Sequence, residues 1–222
     1  MTLSRKGVAE LVGTAFLVMA VVGSGIAATR LSPDDTGLQL LENSLVTGAA
    51  LVSLILALQP VSASFNPVVT AVEAALGLLR WRDAAFLAGA QVIGGILGAA
   101  LANLMFDLDA VTWSTHERTG AHLWLGEVVA TVGLVLVVFG VIRSGRPDAV
   151  AYAVGGYIAA AYWFTSSTSF ANPAVTVART FTDTFSGIAP GSVPAFVLMQ
   201  VVGAGIALAL VRFLFPAPQE IS

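Results

Sequence analysis

The sequence predicts an all-α membrane protein: six transmembrane helices plus two re-entrant half-helices, arranged as an inverted repeat. Three observations carry this reading. The 222-residue chain is 57% apolar and 10% charged, with a mean hydropathy of +0.88, where a soluble domain carries about 25% charged residues. Its apolar residues fall into runs long enough to cross a hydrocarbon layer of about 30 Å. Two shorter apolar stretches each open with Asn-Pro, and the motifs around them recur in the same order in both halves. The absence of Cys and the net charge of −3 exclude a disulfide scaffold and a nucleic-acid partner. No nucleophile–base constellation, phosphate loop or metal-ligand cluster is present in the sequence, so it reads as no enzyme, with no cofactor and no metal.

The long runs place spans at about 8–28, 43–60, 84–106, 123–143, 149–166 and 192–215. Arg5 and Lys6 ahead of the first run give it the look of a signal peptide. That reading is set aside because Glu10 and its neighbours recur later in the chain. The stretches at about 66–79 and 172–182 are too short to cross. Proline suits the first turn of a helix, so each reads as a short helix starting at its Asn-Pro. Counting six spans puts Arg5, Lys6, Arg80, Arg82, Arg143, Arg146 and Arg212 on one side. The positive-inside bias makes that side the cytoplasm, with both termini there.

The chain reads as a single transmembrane channel domain over 1–222, with repeats of approximately 1–110 and 120–222. Glu10-Leu-Val-Gly-Thr14 matches Glu127-Val-Val-Ala-Thr131; Asn66-Pro-Val-Val-Thr70 matches Asn172-Pro-Ala-Val-Thr176; Gln91-x-x-Gly94 matches Gln200-x-x-Gly203. Each half holds three spans, an odd number, so the second half enters from the opposite side. Inverted repeats meet at the membrane midplane, which brings the two Asn-Pro helices together N-terminus to N-terminus. Each contributes roughly half a positive charge there, which opposes cations. Asn66 and Asn172 can donate hydrogen bonds to a passing solute, while Pro67 and Pro173 have no N–H to leave unsatisfied. Gly94 and Gly98, with Gly203 and Ala207, read as small-residue helix contacts.

At these residues the sequence is similar to the aquaporin (major intrinsic protein) family. The resemblance implies an hourglass fold, usually a homotetramer with one pore per subunit, in the cell (inner or plasma) membrane. It implies passive flow of water or small neutral solutes. The motif residues are Asn66, Pro67 and Val68 in the first half and Asn172, Pro173 and Ala174 in the second. Family members normally carry Arg three residues after the second Asn; here that position is Val175. The other filter positions map to Thr47, to Ala160 or Ala161, and to Ser169 or Phe170. A ring of Thr, Ala and Val is wide and weakly polar, which points to glycerol-like polyols or metalloid acids such as arsenite, with water. The stretch 168–180 resembles a bacterial aquaglyceroporin-like branch associated with arsenic resistance.

The resemblance gives Glu10 and Glu127 a supporting role, bracing the re-entrant loops through backbone N–H groups; Gln91 and Gln200 fit similar roles. Arg179 lies four residues beyond Val175, one helical turn on the same face. Two placements are open: the outer vestibule above the constriction, or a position away from the pore paired with Asp183. Its repeat counterpart Glu73 lines the inner vestibule or bonds loop backbone. The alternative function is an ion-coupled secondary transporter, since such proteins also use inverted repeats and broken helices. A transporter calls for paired ionisable groups at the midplane, and no acidic pair is present there.

Overall fold

Every regular element is a helix, and the computed structural model describes residues 1–215. The first run folds as α1, Leu3–Leu31, opened by Thr2, whose hydroxyl accepts from the Arg5 backbone N–H. The others are α2 (Thr36–Leu58), α3 (Pro67–Ala75), α4 (Trp81–Met105), α5 (Ala121–Arg143), α6 (Val150–Phe164), α7 (Pro173–Ala178) and α8 (Val193–Leu214). The C-terminal residues 216–222, placed in the cytoplasm by the charge bias, lie outside the described residues.

Several boundaries differ from the hydropathy reading, each for a local reason. Helix α2 starts seven residues earlier than its apolar run, because Asp35 caps it through Leu38 N–H at 2.9 Å. Gln39 and Asn43 in its early turns are buried, and Asn43 Nδ2 donates to the Val21 carbonyl at 2.8 Å. The half-helices are shorter than their apolar stretches. α3 stops before Gly77, whose φ of +79° turns the chain out of the helix. α7 runs six residues before tightening into a 3-10 turn at Arg179–Phe181. Helix α6 has 15 residues, about 22 Å at the α-helical rise. It is prolonged by a 3-10 turn at Pro147–Ala149. Among the described residues, five helices are long and apolar enough to cross a membrane by themselves.

The packing follows the repeat. α1 packs on α4 and α2 in the first half; α5 packs on α8 and α6 in the second. α2 and α6 join the halves. α3 and α7 sit inside this ring, each against α4 and α8, and touch each other. Close approach of α1 and α4 depends on two glycines. A Cβ on Gly94 would overlap the Leu11 carbonyl oxygen, and one on Gly98 the Ala15 carbonyl oxygen. Lipid offers no hydrophobic drive between helices, so such backbone contact supplies the association.

This contact makes a prediction. Gly98→Leu must push α1 from α4 and is expected to cost at least about 1–3 kcal/mol. Gly89, with nothing within 4 Å of its Cβ direction, is expected to accept Ala without loss. Thermal unfolding of the two purified variants in detergent compares them directly.

Candidate functional site

Two buried carboxylates build the site. Glu10 on α1 is 0% exposed and accepts from the backbone N–H groups of Ser64 (2.9 Å) and Phe65 (2.7 Å), and from the Ser62 hydroxyl. Glu127 on α5, also 0% exposed, accepts from the N–H groups of Phe170 (3.0 Å) and Ala171 (2.9 Å). Each carboxylate takes a further bond from a Gln on the facing helix: Gln91 Nε2 at 2.8 Å and Gln200 Nε2 at 2.6 Å. The same amides donate to Thr70 and Thr176 on the half-helices. Each long-helix pair thus grips its re-entrant loop and half-helix through one polar knot. The loops need such support. Phe65 and Ala171 both have φ +47°, and Thr168 and Ser169 are also left-handed, a conformation costing of order 1–2 kcal/mol for residues with a Cβ.

The half-helices meet through their asparagines. Asn66 Nδ2 donates to the Ala171 carbonyl at 2.8 Å, and Asn172 Nδ2 donates to the Phe65 carbonyl at 2.7 Å. Asn66 Oδ1 caps its own helix at Val68 N–H, and Asn172 Oδ1 caps at Ala174 N–H. Each amide therefore commits its oxygen and one hydrogen, and keeps a second hydrogen. Pro67 and Pro173 begin their helices at N1. Val68 and Ala174 are buried behind the asparagines.

Both asparagines line a cavity of about 660 Å³ that runs from Lys6 and Glu73 at one end to Arg179 at the other. Residues 59–66 all line it, and Gln59, Ser62, Ser64 and Asn66 are its polar side chains there. Residues at helical spacing line it from the long helices: Thr47, Leu51 and Ile55 on α2, with Val154, Ile158 and Tyr162 on α6, apolar except for the Thr47 and Tyr162 hydroxyls.

This last set corrects the sequence reading. Ala160 faces outward and is exposed, and Ala161 is fully buried in helix packing; neither lines the cavity. Tyr162 occupies the wall instead, and its hydroxyl lies 3.1 Å from Thr47 Oγ1. The signal was available: Val150, Val154, Ile158 and Tyr162 share one face at a spacing of four. Ser169, Phe170 and Val175 all line the cavity.

Arg179 lines the same cavity, 3% exposed, and its Nε donates to the Ser186 carbonyl. Its guanidinium lies 3.5 Å from the centroid of the Phe170 ring. The pairing with Asp183 is absent: Asp183 accepts from Thr115 N–H at 2.8 Å and the Thr115 hydroxyl at 3.0 Å. The backbone N–H bond holds that carboxyl below its ordinary range. A second arginine, Arg118 from the α4–α5 connection, lies 5.1 Å from the same Phe170 centroid. It donates to the Gly187 and Phe185 carbonyls, and burial pulls its guanidinium below its ordinary range. No sequence pattern links Arg118 to Phe170, 52 residues later. Glu73 lines the cavity at the other end and accepts from the Ser64 hydroxyl at 3.1 Å; among the described residues its carboxylate takes no hydrogen bond from loop backbone.

Comparison with known proteins adds to this geometry. The sequence model of the family described as "Major intrinsic protein" matches residues 1–149. The chain is 53% identical over 220 residues to aquaglyceroporin AqpS of Rhizobium meliloti (strain 1021), covering 99% of this chain and 94% of that protein. It is 31% identical over 153 residues to aquaporin NIP1-2 of Arabidopsis thaliana, spanning 64% of this chain and 51% of the plant protein. Among solved structures, the aquaglyceroporin from Plasmodium falciparum matches with a TM-score of 0.70, covering 96% of this chain and 100% of that one. At 18% identity that likeness speaks to the fold alone.

Removing one carboxylate tests the knots. Glu127→Ala strands the N–H groups of the buried Phe170 and Ala171. At about 1–3 kcal/mol for each unpaired buried group, it is expected to lose more stability than Glu42→Ala on the partly exposed face of α2. Chemical denaturation in detergent reads the difference.

Proposed function

The chain belongs to the major intrinsic protein family, and from that premise we propose a passive channel for small uncharged solutes: glycerol-like polyols, water, and undissociated metalloid acids such as arsenious acid. It is a multi-pass membrane protein and no enzyme. The observation that carries the solute reading is the cavity, lined by apolar side chains of α2 and α6 together with the loop residues 59–66 and both asparagines. A polyol slides along such a surface with its hydroxyls on the loop and asparagines and its carbons on the apolar side chains. Arsenious acid, a neutral triol of comparable size, presents the same hydroxyls. The half-helix N-termini and the asparagine amides at the midplane favour solute oxygens and oppose cations.

The filter in this reading is Thr47, Tyr162, Ser169, Phe170 and Val175, with Arg179 at its rim. Tyr162 makes it narrower and more polar than a Thr/Ala/Val ring. Val175 leaves room beside Asn172 where an arginine would stand, and Arg179 returns the cation one turn further along. Glu73 and Lys6 line the opposite vestibule. In this account the protein sits in the cell membrane as a homotetramer, with both termini and the Glu73 end in the cytoplasm.

Reconstitution into liposomes with stopped-flow swelling tests the proposal across water, glycerol, urea and arsenious acid. Fast, non-saturating flux with low activation energy is expected. Saturation or dependence on a proton gradient would favour a coupled transporter instead. Tyr162→Ala is expected to raise glycerol and urea flux severalfold, and Val175→Arg to narrow the profile towards water; unchanged profiles in both would remove these residues from the filter. With no Cys in 222 residues, mercurials are expected to leave flux unchanged.

A further inference from the structure

We propose that the Arg179 end of the cavity is a binding site for a small monovalent oxyanion, above all a one- or two-carbon carboxylate. The inference rests on the channel reading only in placing this site across the solute path.

The geometry leaves a fork unused. Arg179 carries five N–H donors, and only Nε has an acceptor among the described residues. The Nη donors have none, and the side chain borders the cavity. One guanidinium face is covered by Phe170 at 3.5 Å, so a ligand must approach the edge. The edge of a guanidinium matches a planar carboxylate through two parallel hydrogen bonds. Ser169 is 3% exposed, lines the same cavity, and its hydroxyl has no partner among the described residues. That hydroxyl can supply a further donor. Across the cavity the Tyr162–Thr47 hydroxyl pair limits ligand size.

The charge balance favours an anion. No acidic group lies within salt-bridge distance of Arg179 or Arg118 among the described residues. The nearby carboxylates are engaged elsewhere: Glu127 by Phe170, Ala171 and Gln200, and Asp183 by Thr115. Two guanidiniums therefore share one aromatic ring with carbonyls as their other partners. A buried cation without a counter-charge is costly, and a bound monoanion relieves that cost. Arg118 does not line the cavity, so it acts through the field and by holding Phe170.

The test uses the full chain in two ways. Glycerol flux into proteoliposomes is measured with sodium formate equilibrated on both sides, against the same concentration of sodium chloride. Formate is also titrated calorimetrically into the detergent-solubilised protein. Formate is expected to reduce flux by at least half in a saturable manner, with a matching one-site heat. Arg179→Lys, which keeps the charge and loses the fork, should weaken both effects about tenfold, and Arg118→Gln severalfold. No saturable formate effect in the wild type, or equal effects in wild type and Arg179→Lys, would overturn the proposal. A wild-type glycerol rate equal to that of protein-free vesicles, together with saturable heat, would sink the channel reading while supporting the site.

Discussion

Two carboxylates buried among apolar helices hold the molecule's irregular backbone in place. A re-entrant loop at membrane depth exposes N–H groups that lipid cannot satisfy, so protein must satisfy them. Glu10 and Glu127 do this from opposite sides of the pseudo-symmetric core. Their charge is costly to bury, yet each collects bonds from two backbone amides and a glutamine. The left-handed residues at 65 and 171 sit within these bonds. Strain and buried charge, each unfavourable alone, are offset by one shared set of hydrogen bonds. The glycine contacts of α4 then bring α1 close enough for Gln91 to reach Glu10, which holds the loop, while it also bonds Thr70 on α3.

The repeat is faithful where it supports and unfaithful where it faces solute. Glu10 and Glu127, Gln91 and Gln200, Thr70 and Thr176, and Asn66 and Asn172 make equivalent bonds. Seven residues beyond each asparagine the likeness ends, with Glu73 on one side and Arg179 on the other. The cavity therefore has a carboxylate near one end and a guanidinium near the other. Scaffold residues answer to backbone geometry that both halves share, whereas cavity residues answer to what approaches from two different compartments.

Much of this was legible in the sequence. Hydropathy located the long helices, and paired motifs revealed the inversion, because both are one-dimensional signals. The carboxylates were recognisable by their burial in apolar runs and their recurrence. Helix phase was the harder matter. Counting from the motifs points to Ala160 and Ala161, and a shift of one or two residues rotates a side chain by 100° or more on a helix. Tyr162 was visible only through its i, i+4 relation to Ile158 and Val154. Arg118 was beyond reach, since its meeting with Phe170 depends on how a long connection folds over the bundle. The start of α2 was obscured because Gln39 and Asn43 look like loop residues until their partners are known.

The crossed bonds between the asparagines bear on how the chain is made. Asn66 finds its acceptor at Ala171, and Asn172 finds its own at Phe65. A ribosome finishes the first of these more than a hundred residues before the second. During that interval α3 has its Glu10 support but no partner for its leading end. Water or the insertion machinery must fill the vacancy. The nascent first half is thus poorly suited to settle alone in lipid, and its half-helix gains a partner for that end only when the second half arrives.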